Sequence, residues 1–194
     1  HQCVLDIAVM RAMPNMTVIE PSDEKTVREA VFQAAEIKGP VYIRISRVEA
    51  PDLHSKIDDI TIGKGVLLRN GNDVTLIASG LMVHKAMAAA ESLSETGISA
   101  QVLEIHTTKP LDKESIVRCA RNTGSVVVVE EHSLYGGLCS AVSETLITEH
   151  PVPAEFVAIQ DRFGESGQYD EILEVCGLTV ENIVQKAKSA VSRK

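Results

Sequence analysis

Four consecutive valines, Val126 to Val129, sit between Ser125 and Glu130, and no other feature of the chain constrains its fold as strongly. A short β-branched run is a strand. A strand that is apolar at every position, not at every second one, needs burial on both of its faces. Sheets of that kind are mainly parallel and carry helices above and below. The remaining sequence agrees, because strand-like and helix-like stretches alternate almost throughout. Of 194 residues 44% are hydrophobic and only 3% aromatic, with no Trp, so the core must be built from Val, Ile, Leu, Ala and Met. That material suits three-layer α/β sheets with helices on both faces better than a sandwich.

The alternation can be followed along the chain. Cys3–Ala12 reads as a short helix ending before Pro14, and Met16–Ile19 as a strand. Ser22 offers an N-cap, with Asp23 and Glu24 where the helix dipole favours negative charge. Val27, Ala30, Val31, Ala34 and Ala35 then share one helical face up to Lys38-Gly39, and Val41–Ile45 returns as a strand. From Ser46 to Thr61 the periodicity lapses, and Pro51 with Asp52, Asp58 and Asp59 marks a linker. The expected division is therefore residues 1–50, a linker at 51–60, and a second domain at 61–194. In that second part Gly65–Leu68 and Val74–Ala78 are strands, and Asn70-Gly71-Asn72 between them predicts a hairpin, hence a mixed sheet. A helix over Leu81–Thr96, a strand over Ala100–Ile105 and a helix capped by Asp112 lead to the valine strand. A helix opened by Gly136-Gly137, a strand at Phe156–Ile159 and helices at Tyr169–Cys176 and Thr179–Val191 complete the pattern.

Charge and motifs exclude several functions. A net charge of -8 argues against nucleic acid, which needs a Lys/Arg-rich face. It does not forbid an anionic substrate, since one Arg can hold a phosphate within an acidic protein. Cys3, Cys119, Cys139 and Cys176 are scattered and read as free thiols. No run of about 18 apolar residues suggests a membrane span. The glycine-rich phosphate motifs are absent, as are HExxH and spaced Cys/His sets, so no metal site is expected within the chain. The first residues read as the interior of a domain, as though cut from something longer.

Three local features could carry chemistry. Arg44 and Arg47 leave a strand end in IRISR, where an arginine can fork onto phosphate or form an inter-domain salt bridge. Glu130-Glu131-His132 precedes Gly136-Gly137, an anion site at a helix start or a packing loop. Arg162 to Gly167 (RFGESG) forms a loop with opposed charges, which suits a turn pinned by an Arg–Glu pair.

The ordered segments resemble transketolase over essentially the whole chain. HQCVLDIAVMRAMPNMTVIEPSD looks like the second half of that family's pyrimidine-binding domain, and GPVYIRISRVEAP is similar to the strand ending in its phosphate-recognising arginine. LEIHTTKPLD, VVVVEEHSLYGGLCSAVSE and DRFGESGQYDEILEVCGLT look like its C-terminal domain. Deoxyxylulose-phosphate synthases usually show a Gly-x-Phe-Asp run in place of Gln2–Asp6, and an Arg-Tyr-Pro-Arg-Gly strand end in place of Arg44–Arg47. Beta subunits of 2-oxo-acid dehydrogenases share the architecture but lack the Ile-Ser-Arg and Thr-Lys-Pro-Leu-Asp segments. A non-catalytic dimerisation or regulatory module is the alternative of another class.

The resemblance implies a part of a cytoplasmic, dimeric enzyme that transfers a two-carbon ketol unit between sugar phosphates using thiamine diphosphate and Mg²⁺. His1 matches the family's substrate-channel histidine, a candidate catalytic proton donor near the reacting carbonyl. Arg47 matches the arginine that holds the sugar-phosphate tail. No residue matches a metal ligand, and the resemblance assigns no cofactor-binding residue, which stays unknown. The family's activating Glu lies upstream of the matching segment and its diphosphate site on another domain, so none of the cofactor is expected on this chain alone. An N-terminal transketolase section is the implied partner.

Overall fold

The structure is a computed structural model that describes residues 3–55 and 60–194. His1, and residues 56–59 of the expected linker, lie outside the described residues. The first part holds helix α1 (Asp6–Ala12), strand β1 (Thr17–Ile19), helix α2 (Glu24–Glu36) and strand β2 (Val41–Ile43). The expected start of α2 is displaced by one residue. Asp23 is its N-cap: Asp23 Oδ1 accepts from the Thr26 N–H at 2.9 Å, and Thr26 Oγ1 accepts from the Asp23 N–H at 2.9 Å. The Ser22 hydroxyl is instead drawn to a buried acceptor, donating to Glu104 Oε1 at 2.7 Å.

The second part contains β3 (Val66–Arg69), β4 (Val74–Ala78), α3 (Met82–Glu95), β5 (Ala100–Glu104), β6 (Thr107–Lys109) and α4 (Lys113–Thr123). It continues with β7 (Val126–Ser133), α5 (Leu138–Glu149), β8 (Ala154–Ile159), α6 (Tyr169–Val175) and α7 (Val180–Ser192). Its five-stranded sheet runs β3-β5-β4-β7-β8, parallel except for the antiparallel β3–β5 contact. The sheet is mixed as expected, but the hairpin is not there: β3 pairs with β5, and β4 lies beyond it. The glycine signal has another origin. The turn crosses the start of β5, with Asn72 and Asp73 N–H groups both donating to Ser99 O. A Cβ at Gly71 would run into the backbone of Ala100 and Gln101, so glycine is needed for close approach and not for a tight β-turn.

The valine strand does divide between two cores. Val127 and Val129 pack with Leu76, Val102, α3 and α7 on one side, while Val126 and Val128 pack with Ile77, Leu103, α4 and α5 on the other. This is the three-layer arrangement that uninterrupted apolar strands require. A second sheet, β2-β1-β6, joins the two parts: β1 pairs parallel with β2 and antiparallel with β6. Strand β6, too short to show a period, was not expected. After Glu104 the chain leaves one sheet and within three residues enters the other, so the two halves are connected through hydrogen bonds as well as through the linker.

Candidate functional site

Open α/β sheets hold ligands beyond the carboxyl ends of their strands. Here the ends of β2, β4 and β7 converge on one cavity of about 740 Å³ between the two parts, lined by Arg44, Arg47, Glu20, Glu131 and Tyr169 among others. Arg47 stands four residues past the end of β2 and is exposed. Among the described residues nothing hydrogen-bonds or ion-pairs with its guanidinium.

Arg44 is held quite differently. Its Nη1 lies 2.5 Å from Glu20 Oε1 and its Nε 3.1 Å from Asp6 Oδ2. Tyr42 donates to the same Asp6 oxygen at 2.7 Å, and the Ser79 hydroxyl donates to Glu20 Oε2 at 2.5 Å. Burial works against the Arg44 charge, but Glu20 and Asp6 outweigh it and raise the pKa. Burial, reinforced by the bond to Asp6, pushes Tyr42 up to about 12. The salt-bridge alternative is therefore the one the structure realises for Arg44.

The Glu130-Glu131-His132 segment separates into three roles. Glu130 is fully buried and accepts from the Leu138 and Cys139 N–H groups at 2.7 and 2.8 Å, capping α5. Burial pushes its pKa up to about 7 against those two donors. Glu131 turns to the cavity, where Tyr169 donates to it at 2.7 Å; burial raises its pKa while that bond and Arg44 oppose the rise. His132 donates from Nδ1 to Ser133 O at 2.8 Å and accepts the Ala8 N–H at Nε2, tying α1 to β7 as a neutral ring whose pKa burial lowers. Arg162 pairs with Glu165 and also bonds Val175 O, as the loop reading expected.

A second polar cluster had no signal in the sequence. His54, from the aperiodic linker, is fully buried with Nδ1 2.6 Å from Asp23 Oδ2 and Nε2 2.5 Å from Glu104 Oε2. Burial disfavours its charge, yet the bonds to Asp23 and Glu104 win and raise its pKa to about 9. Both ring nitrogens therefore donate, and the imidazolium joins α2, the linker and β5. Glu20 and Glu104 could have been flagged only as lone charges at the ends of apolar strands.

Among the described residues no group of three or more His, Cys, Asp or Glu is placed to hold a metal ion, and no helix is long and apolar enough to cross a membrane. The cavity carries Asp6, Glu20, Glu131 and Glu165 against two arginines, one of them already neutralised. That charge balance does not fit a diphosphate with its cation.

The geometry is matched by known proteins. The family model described as transketolase, C-terminal domain, covers residues 63–183, and that described as transketolase, pyrimidine binding domain, covers residues 1–52. The chain belongs to the transketolase family. It is 45% identical over 194 residues to the 6-deoxy-6-sulfo-D-fructose transketolase subunit SqwH of Clostridium sp. (strain MSTE9), covering 100% of this chain and 60% of that protein. It is 42% identical over 190 residues to a putative transketolase C-terminal section of Methanocaldococcus jannaschii, covering 96% and 59%. A solved structure described as split gene transketolase, inactive beta4 tetramer, superposes with a TM-score of 0.93 at 42% identity over 100% of this chain and 63% of that one. This transketolase-family chain thus spans about 60% of the length of these relatives.

Proposed function

We propose that the chain is the C-terminal section of a transketolase, and that Arg47 anchors the phosphate of its sugar substrates. The observation that carries this is the guanidinium of Arg47, without a hydrogen-bond or ion-pair partner among the described residues, on a cavity at a strand's carboxyl end, beside an arginine whose charge is already spent on Glu20 and Asp6. A guanidinium can grip a terminal phosphate in two parallel hydrogen bonds. Holding the far end of a ketose phosphate fixes where its carbonyl carbon sits, which converts binding into orientation. His1 is proposed to donate a proton to that carbonyl oxygen. Thiamine diphosphate, with Mg²⁺, supplies the carbanion-stabilising chemistry of ketol transfer when bound, and a second section of the enzyme provides the diphosphate site that this chain's acidic cavity does not build. The proposed assembly is a cytoplasmic homodimer of such pairs, with units at 1–50 and 61–194 about a linker at 51–60, and the chain alone is inactive.

The test is Arg47→Ala in the assembled enzyme. KM for phosphorylated ketoses is expected to rise by about 30-fold or more, with little change for unphosphorylated donors, from loss of a charge-assisted bidentate pair. Equal losses on both kinds of donor would remove Arg47 from the phosphate site.

A further inference from the structure

We infer that Arg44 is a positioning residue for Arg47, acting through a charge cluster that spans both parts of the chain. The inference rests on the reading of Arg47 as the phosphate anchor. The β1–β2 ladder ends at Ile19↔Ile43, and the Arg44 N–H donating to Ile19 O at 2.9 Å is the last backbone bond of β2. Among the described residues no backbone–backbone hydrogen bond holds Ile45, Ser46 or Arg47; only the Ser46 hydroxyl accepts the Val48 N–H, at 3.1 Å. The course of the segment carrying Arg47 is therefore set where it leaves Arg44.

Arg44 is clamped at that point by two carboxylates, one of them held in turn by the second part of the chain. Asp6 belongs to α1, Glu20 to the end of β1, and Glu20 is in turn gripped by the second part, through the Ser79 hydroxyl at 2.5 Å and the Gly80 N–H to its carbonyl at 3.3 Å. Gly80 approaches so closely that an added Cβ would lie 2.9 Å from Glu20 Cγ, which leaves Glu20 little room to shift. Only the planar fork of arginine serves two carboxylates on different elements at once; an ammonium is a single point of charge. The β4–α3 turn thereby sets the launching point of the phosphate-binding segment, although neither Ser79 nor Gly80 needs to touch a substrate.

The experiment uses the assembled enzyme with thiamine diphosphate and Mg²⁺, and D-fructose 6-phosphate as the probe in both calorimetric binding and steady-state kinetics. Arg44→Lys keeps the charge and loses the fork. It is expected to weaken D-fructose 6-phosphate binding about tenfold, with KM rising more than kcat falls. In an Arg47→Ala background the same change adds no further loss, because there is no longer a guanidinium to misplace. Full additivity, or unaltered binding in Arg44→Lys, overturns the positioning role and leaves the Arg47 reading standing. If Arg47→Ala itself binds the probe normally, the phosphate reading fails first and the inference with it. Should Arg44→Lys fold poorly by thermal melting, Glu20→Gln opens the clamp from the other side and is put through the same comparison.

Discussion

Replacing His54 by Gln removes a cation that two fully buried carboxylates share, and the pH dependence of the loss distinguishes an ion cluster from ordinary packing. His54, Asp23 and Glu104 side chains are all fully buried. Breaking such a pairing costs about 3–5 kcal/mol, since uncompensated charge is left in the interior. The share due to the proton can be worked separately. The imidazole pKa rises from the ordinary 6.5 to about 9 on folding. At about 1.4 kcal/mol per tenfold change in proton affinity, that rise is worth about 3 kcal/mol. Because the folded value is the higher one, this contribution is complete below about pH 6.5 and fades as the pH passes 9. Asp23 moves oppositely: burial raises its pKa, but bonds to His54 and Thr26 hold it well below the usual range, so its share is lost only in acid. Burial lowers the pKa of nearby His106. Urea unfolding of wild type and His54→Gln at about pH 6 and about pH 10 should show a stability difference that shrinks by about 3 kcal/mol, at unchanged m-value. A difference that is the same at both pH values, within about 1 kcal/mol, would show that His54 is not charged in the folded protein.

Two glycine positions make further tests. A Cβ at Gly137 would fall on Glu130 Oε2 and lie 2.7 Å from His132 Nδ1, so Gly137→Ala should cost about 2–4 kcal/mol by displacing the α5 cap; a melting temperature within a degree of wild type contradicts this. Gly71→Ala drives a methyl into the backbone of Ala100 and Gln101 and should cost at least about 2 kcal/mol, whereas a glycine serving only turn geometry would cost about 1 kcal/mol or less.

What could be read from residues alone was whatever depends on neighbours in the chain. The valine run specified a strand buried on both faces, and the structure divides its side chains between two cores. Asp112 capped the helix that follows it, accepting from the Ser115 N–H, because a cap is satisfied within three residues. From the residues alone Arg44 and Arg47 stood as equal candidates near a strand end, and only the family resemblance singled out Arg47; the structure brings both to one cavity. Pairing over long distance was another matter. Asn70-Gly71-Asn72 has the composition of a hairpin turn, yet β5 lies between β3 and β4; local conformation does not encode which strand fills a given sheet position. His54 lies in an aperiodic stretch between residues unrelated to its role, and its partners are 31 and 50 residues away. Its protonation, like the clamp on Arg44, arises only when separate elements place carboxylates around a cation and exclude water, for electrostatic strength depends on distance and burial, neither of which is a property of the sequence order.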